Sequence, residues 1–146
     1  MYDAHQIANY FLAQCDRDEG EIISNLKLQK LLYYAQGFNL ALNDERLFRE
    51  DVEAWTHGPV VPRVYHAFKR FGNEALPSPE GFDMASLDEG SRDLLDEIFQ
   101  VYGQYSAWKL ANMTHIEPPW KSAIERGQST VITDDSMREY FKTLIE

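Results

Sequence analysis

NLKLQKLLYYAQGFNLAL, running from Asn25 to Leu42, is the stretch that decides the fold. Leu28, Leu31, Leu32, Ala35 and Leu42 recur at helical spacing and form one apolar stripe. Leu26, Tyr33 and Leu40 form a second stripe on the far side. A helix that is apolar on two faces has to be covered on both, so this segment is expected at the centre of a helical fold. Ser24 stands just ahead of it, where the first free backbone N–H groups need an acceptor. Asn39 projects near the first stripe and, once buried, needs hydrogen-bond partners.

Working outward, Asp3 fits the N-cap of a first helix carrying Ala4, Ile7, Ala8, Phe11 and Cys15 on one stripe and ending before Gly20. Its place on that stripe makes Cys15 a buried, inert thiol. Residues 43–51 are polar and read as a loop, and the alternation from Val52 to Thr56 reads as a short strand. His57-Gly58-Pro59 breaks that strand. Gly58 allows a backbone angle other residues avoid, and Pro59 and Pro62 stiffen the chain beyond it, turning it from strand to helix. A third helix starts at Pro62, carries Val64, Tyr65, Phe68 and Phe71, and stops at Gly72.

Residues 73–86 hold Pro77, Pro79 and Gly81 and form the longest irregular connector. A fourth helix, from about Asp88 to Tyr102, is expected to bury Leu94, Leu95, Ile98, Val101 and Tyr102. Its outer face carries Asp88, Glu89, Asp93, Asp96 and Glu97. Ser106 caps a fifth helix ending near Met113, and Pro119 and Trp120 open a short sixth. Val131 to Thr133 is a second strand candidate. Asp134 is expected to cap the last helix, whose stripe is Met137, Tyr140, Phe141, Leu144 and Ile145. The sum is one mainly α, compact domain over residues 1–146, with six to seven helices and a small β element.

Composition narrows the function classes. Hydrophobic residues make up 44% of the 146 and aromatics 13%, enough for a core. Cys15 is the only cysteine, so neither an intramolecular disulfide nor a cysteine-cluster zinc site is available. No apolar run approaches a membrane span, and the N-terminus lacks the basic and apolar regions of a secretory signal. We therefore expect a cytoplasmic protein without membrane partners. The formal net charge is −10, and residues 74–146 carry 14 acids against 6 bases. Such a chain repels phosphate backbones, so nucleic-acid binding by the chain alone is not expected, whereas a basic protein partner is permitted.

The chemistry-bearing residues are sparse. His5, His57, His66 and His115 invite a metal or acid–base reading, with Glu117 two residues past His115. An enzyme built on His57, His115 and Glu117, metal-dependent or hydrolytic, is one alternative. The other is that His115 and Glu117 fix a loop, Glu117 accepting backbone N–H groups at the next helix start. Neither a HExxH pair nor a phosphate-binding glycine loop nor a GxSxG elbow is present, and we assign no catalytic residue, metal or cofactor. Lys27 and Lys30, and Lys69 and Arg70, form small basic pairs of the kind found on a solvated face. The aromatics Tyr33, Tyr34, Trp55, Tyr65, Phe68 and Trp120 are better binding candidates, since partly exposed aromatics anchor interfaces. Tyr34 lies off both apolar stripes of its helix and is expected to be an exposed anchor, followed by Tyr65.

Three ordered blocks carry a family resemblance: LQKLLYYAQG from Leu28 to Gly37, EAWTHGPVVPRVY from Glu53 to Tyr65, and THIEPPW from Thr114 to Trp120. Together they resemble the Panacea (SocA-associated) antitoxin domain family, also described as GepA-like phage-associated. The resemblance covers nearly the whole chain. It gives Gln29, Lys30, Tyr33, Trp55, Gly58, Pro59, Pro62, His115, Glu117, Pro119 and Trp120 as structural motif residues. It implies an antitoxin without enzymatic activity that neutralises a protein toxin, encoded nearby, through direct contact. Some similar proteins carry a DNA-binding domain ahead of this one. The first helix here begins next to Met1, and none is expected. For the partner we expect two zones: Tyr34 with Tyr65, and the acidic face of Asp88, Glu89, Asp93, Asp96 and Glu97. Self-association and a phage-encoded role against a host factor are the remaining alternatives.

Overall fold

The computed structural model describes residues 1–16 and 18–145. Helix α1 spans Ala4–Gln14 and α2 spans Asn25–Asn43. A hairpin comes next, β1 at Val52–Trp55 and β2 at Gly58–Val60, then α3 at Pro62–Phe68. Short 3-10 turns occupy Lys69–Phe71 and Met84–Ser86. The chain continues through α4 (Glu89–Tyr102), α5 (Ala107–His115), α6 (Pro118–Ile124), β3 (Thr130–Ile132) and α7 (Asp134–Lys142). The fold is mainly α with a small antiparallel sheet, as the sequence predicts.

Helix α2 is the central element. It packs against α1, α3, α4, α5, α7 and β2, and it is buried over nearly its whole circumference. Its N-cap is Ser24, whose hydroxyl accepts from the Lys27 N–H. Asp3 and Gln6 form a reciprocal capping box at α1. Gly37 lets α7 lie close to α2, because a Cβ there would fall inside the Phe141 ring. Asn39 finds its partners in the Glu45 carbonyl and the Asn43 amide. Cys15 is buried, with its thiol donating to the Glu21 carbonyl.

The sheet runs in the order β2-β1-β3, all antiparallel, with Glu53 opposite both Val60 and Val131. Strand β2 corrects the expectation that His57-Gly58-Pro59 ends the β structure. The chain turns through Thr56 and His57 and pairs straight back, Trp55 opposite Gly58. Pro59 is tolerated because β2 is an edge strand.

Three further expectations change. Thr133 caps α7 in place of Asp134: its backbone is extended and its hydroxyl accepts from the Ser136 N–H, whereas Asp134 already lies in the first turn. Helix α7 ends at Lys142, so Leu144 and Ile145 leave the buried stripe and stay 45% and 42% exposed. Leu42 and Val101, also expected in the core, are exposed as well. Leu42 lies in the last turn of α2, and Val101 falls off the face of α4 that buries Leu95 and Ile98.

Candidate functional site

The three sequence blocks meet around α2. Its polar residues face inward and hold the segment from Gly58 to Tyr65, which carries β2 and the start of α3. Asn25 Nδ2 donates to the Tyr65 carbonyl at 3.0 Å, and Gln29 Nε2 donates to Asn25 Oδ1 at 2.9 Å. Gln29 Oε1 accepts from the Val61 N–H at 2.9 Å, and Lys30 Nζ donates to the Pro59 carbonyl at 3.2 Å. These bonds give partners to backbone groups of β2, of the α3 N-cap and of α3 itself. Lys30 is thus fully buried, which corrects its assignment to a solvated basic face. Desolvation lowers its pKa to about 7. Lys27 is half-buried and donates to the Gly103 carbonyl at 2.6 Å. Gly58 has φ 118°, and a Cβ there would lie 2.7 Å from Lys30 Cε and 2.8 Å from Thr114 Oγ1. Both backbone angle and packing demand glycine.

Glu117 sits in a cage of tyrosines. Tyr33 and Tyr34 each donate their hydroxyl to it at 2.9 Å, and the Tyr140 hydroxyl lies beside it. Burial raises the carboxyl to about 7, opposed by those hydrogen bonds. Desolvation and the Glu117 charge push Tyr33 and Tyr34 up strongly and Tyr140 to about 12. The expected cap by the Glu117 side chain at α6 is not made. Tyr34 is fully buried, stacked on Tyr102 at 3.9 Å and 10°, so it is no exposed anchor. Its position off the apolar stripes reflects a hydroxyl aimed at a buried carboxylate. Tyr65 is partly exposed.

The enzyme constellation does not gather. His115 stacks on Trp120 at 4.3 Å, and His57 packs edge-on to Trp108 at 5.7 Å, while Glu117 faces the tyrosines. Burial pushes the His115 pKa down, partly offset by the Thr56 backbone. Trp120 Nε1 donates to the Trp55 carbonyl at 2.8 Å, tying α6 to β1. Among the described residues no group of three His, Cys, Asp or Glu side chains is placed to hold a metal ion. None of the described helices is long and apolar enough to cross a membrane.

The acidic residues of α4 are all exposed, but two are engaged. Asp88 caps the helix and accepts from the Tyr2 hydroxyl at 2.6 Å. Asp96 accepts from the Tyr10 hydroxyl at 2.8 Å and from the Gln14 amide. Glu89, Asp93 and Glu97 project to solvent. A cleft of about 540 Å³, lined in part by Trp55, Tyr65 and Trp108, opens on another face. Sequence reading misses Trp108, whose isolated position in a short helix carries no periodic signal.

What these features define is a helical scaffold in which Gln29, Lys30, Tyr33, Glu117 and Trp120 tie the three blocks together from inside, and whose surface includes an aromatic cleft and an acidic stripe. Residues 28–121 match the family described as Antitoxin SocA-like, Panacea domain, and the chain belongs to that family. It is similar to Antitoxin SocA of Caulobacter vibrioides (strain NA1000 / CB15N), 32% identical over 139 residues. That alignment covers 88% of this chain and 73% of the relative. No solved structure gives a significant match.

Proposed function

We propose that this chain is an antitoxin: a non-enzymatic, cytoplasmic protein that neutralises a protein toxin, encoded nearby, through direct contact. The observation that carries this reading is the family match over residues 28–121, joined by a relative described as an antitoxin along most of the chain. The geometry is consistent with it. Asn25, Gln29, Tyr33, Tyr34 and Glu117 spend their hydrogen bonds inside the fold, and the surface offers docking features. Glu89, Asp93 and Glu97, with Asp88 and Asp96 beside them, form an exposed acidic band suited to a basic face of the toxin. Tyr65 supplies a partly exposed aromatic face. The net charge of −10 argues against binding nucleic acid alone.

The test is co-expression with the toxin gene from the same locus, scored for growth and followed by co-purification. We expect rescue of growth and a stable complex of the two proteins. Rescue without any complex would remove direct contact, and failure to rescue would remove the antitoxin role.

A further inference from the structure

The 540 Å³ cleft lies between the N-terminal half of α2, the β1–β2 turn, α3 and α5. Its walls are aromatic. Trp55 and Tyr65 meet edge to face at 5.0 Å, and Trp108 stands 63% exposed with His57 against its ring. A tryptophan this open on a short helix adds little to the core, and its large apolar ring with a polar N–H is the kind of side chain enriched at interfaces. The floor is cationic. Lys30 is completely buried and, among the described residues, makes one hydrogen bond, to the Pro59 carbonyl, although an ammonium group carries three donors. Lys69 stands exposed at the rim.

The charge balance of this cleft is unlike that of the chain. The chain has 24 acids against 14 bases, yet among the described residues no carboxylate lines the cleft. The adjacent Glu53 is turned to the Trp55 indole, whose Nε1 donates to it at 3.0 Å. A desolvated cation without a counter-ion projects its field into a low-dielectric cleft more strongly than a solvated one. Burial, which holds Lys30 down to about 7, marks the same missing counter-charge.

We propose that this cleft docks a segment of the toxin that presents a large apolar side chain beside a carboxylate. The apolar side chain lies among Trp55, Tyr65 and Trp108, and the carboxylate faces Lys69 and the field of Lys30. This rests on the antitoxin reading. The cleft shares no lining residue with the acidic band of α4, so the two surfaces hold opposite charge preferences and together fix the orientation of one partner.

The probe is a short, end-blocked peptide with a central phenylalanine between two glutamates, compared with the same peptide carrying two lysines. Binding is read from the indole N–H resonances of ¹⁵N-labelled protein at a pH below 7, where Lys30 is charged. We expect the glutamate peptide to shift Trp55 and Trp108 saturably and to bind about tenfold more tightly than the lysine peptide. Trp108→Ala, at an exposed position, is expected to stay folded and to weaken the glutamate peptide about tenfold. Lys30→Met keeps the side-chain volume, removes the charge and shrinks the preference between the peptides. The docking site is overturned by the absence of saturable shifts with both peptides, by equal binding of the two, or by unchanged binding to Trp108→Ala. Growth rescue with a peptide-blind cleft discards this site and keeps the antitoxin reading. Peptide binding without rescue discards the toxin as the occupant.

Discussion

Two buried ionisable side chains, Glu117 and Lys30, are each held near neutral pKa by desolvation, and they act on stability in opposite directions. Glu117 rises from 4.5 to about 7 on folding, so between those values the native state holds a proton the unfolded chain has released. Its contribution is full below the lower value and is lost as pH rises through the window. Lys30 falls from 10.5 to about 7, so between those values the unfolded chain holds the extra proton and stability rises with pH. Together they place a minimum of stability near pH 7. Urea unfolding from about pH 5 to pH 9 is expected to show this dip, with Glu117→Gln flattening the acidic limb and Lys30→Met the alkaline limb. His115, with its pKa lowered, adds a smaller opposing slope below its ordinary value of 6.5, common to all three proteins. Parallel profiles for wild type and both variants would show that neither group is desolvated as described. The two groups also mark where sequence reading stops at this scale. The block from Leu28 to Gly37 identifies Lys30, and THIEPPW identifies Glu117, as residues of structural weight. Periodicity says that a polar residue sits on a buried helix but not which distant group it meets. Tyr34 is misplaced by the sequence for that reason, its partner Glu117 lying 83 positions away.

At the scale of elements, the extensive contact between α2 and α7 depends on Gly37. Phe141 lies across that glycine and packs edge-on to Tyr33 at 5.4 Å and to Tyr34 at 5.9 Å. Adding one methyl group at Gly37 drives it into the Phe141 ring, and overpacking of this kind costs about 1–3 kcal/mol even though alanine favours the helix. Gly37→Ala is expected to lower the urea midpoint accordingly. Phe141→Leu in the same chain is expected to return part of the loss, so that the double-mutant cycle is clearly non-additive. Strict additivity would show that the two helices do not meet there. The helices themselves are largely legible, because the caps at Asp3, Ser24 and Ser106 and the proline at Pro62 are local signals, and Pro119 places the start of α6 one residue late. Strand β2 is not, because Gly58-Pro59 reads as a breaker when pairing is invisible. The pairing of β1 with β3 joins residues about eighty positions apart, and nothing local records it. The end of α7 escapes the sequence because the spacing from Met137 to Ile145 stays helical while the helix stops at Lys142.

At the scale of the whole molecule, charge is the property with the longest reach. The excess of acids is concentrated in residues 74–146, and α4 displays part of it as an ordered stripe. Glu89, Asp93 and Glu97 recur every four residues and therefore share one helix face. Arg46 and Arg138 neutralise other acids, Asp51 and Asp134 in one case and Asp44 and Asp135 in the other, leaving the α4 stripe as a field source. A field of this sign speeds encounter with a basic partner and orients it, while close contacts set how long the complex lasts. Changing Glu89, Asp93 and Glu97 together to lysine is therefore expected to slow association with the toxin about 10- to 100-fold at low salt and to leave dissociation nearly unchanged. The difference is expected to shrink as salt shortens the Debye length from about 10 Å at 0.1 M to about 3 Å at 1 M. Asp88 and Asp96 are left intact in this variant because they hold Tyr2 and Tyr10. Reversing them would mix a folding defect into the rate. Stopped-flow association at two salt concentrations decides the matter, and a variant that associates as fast as wild type at low salt would place the docking face away from α4.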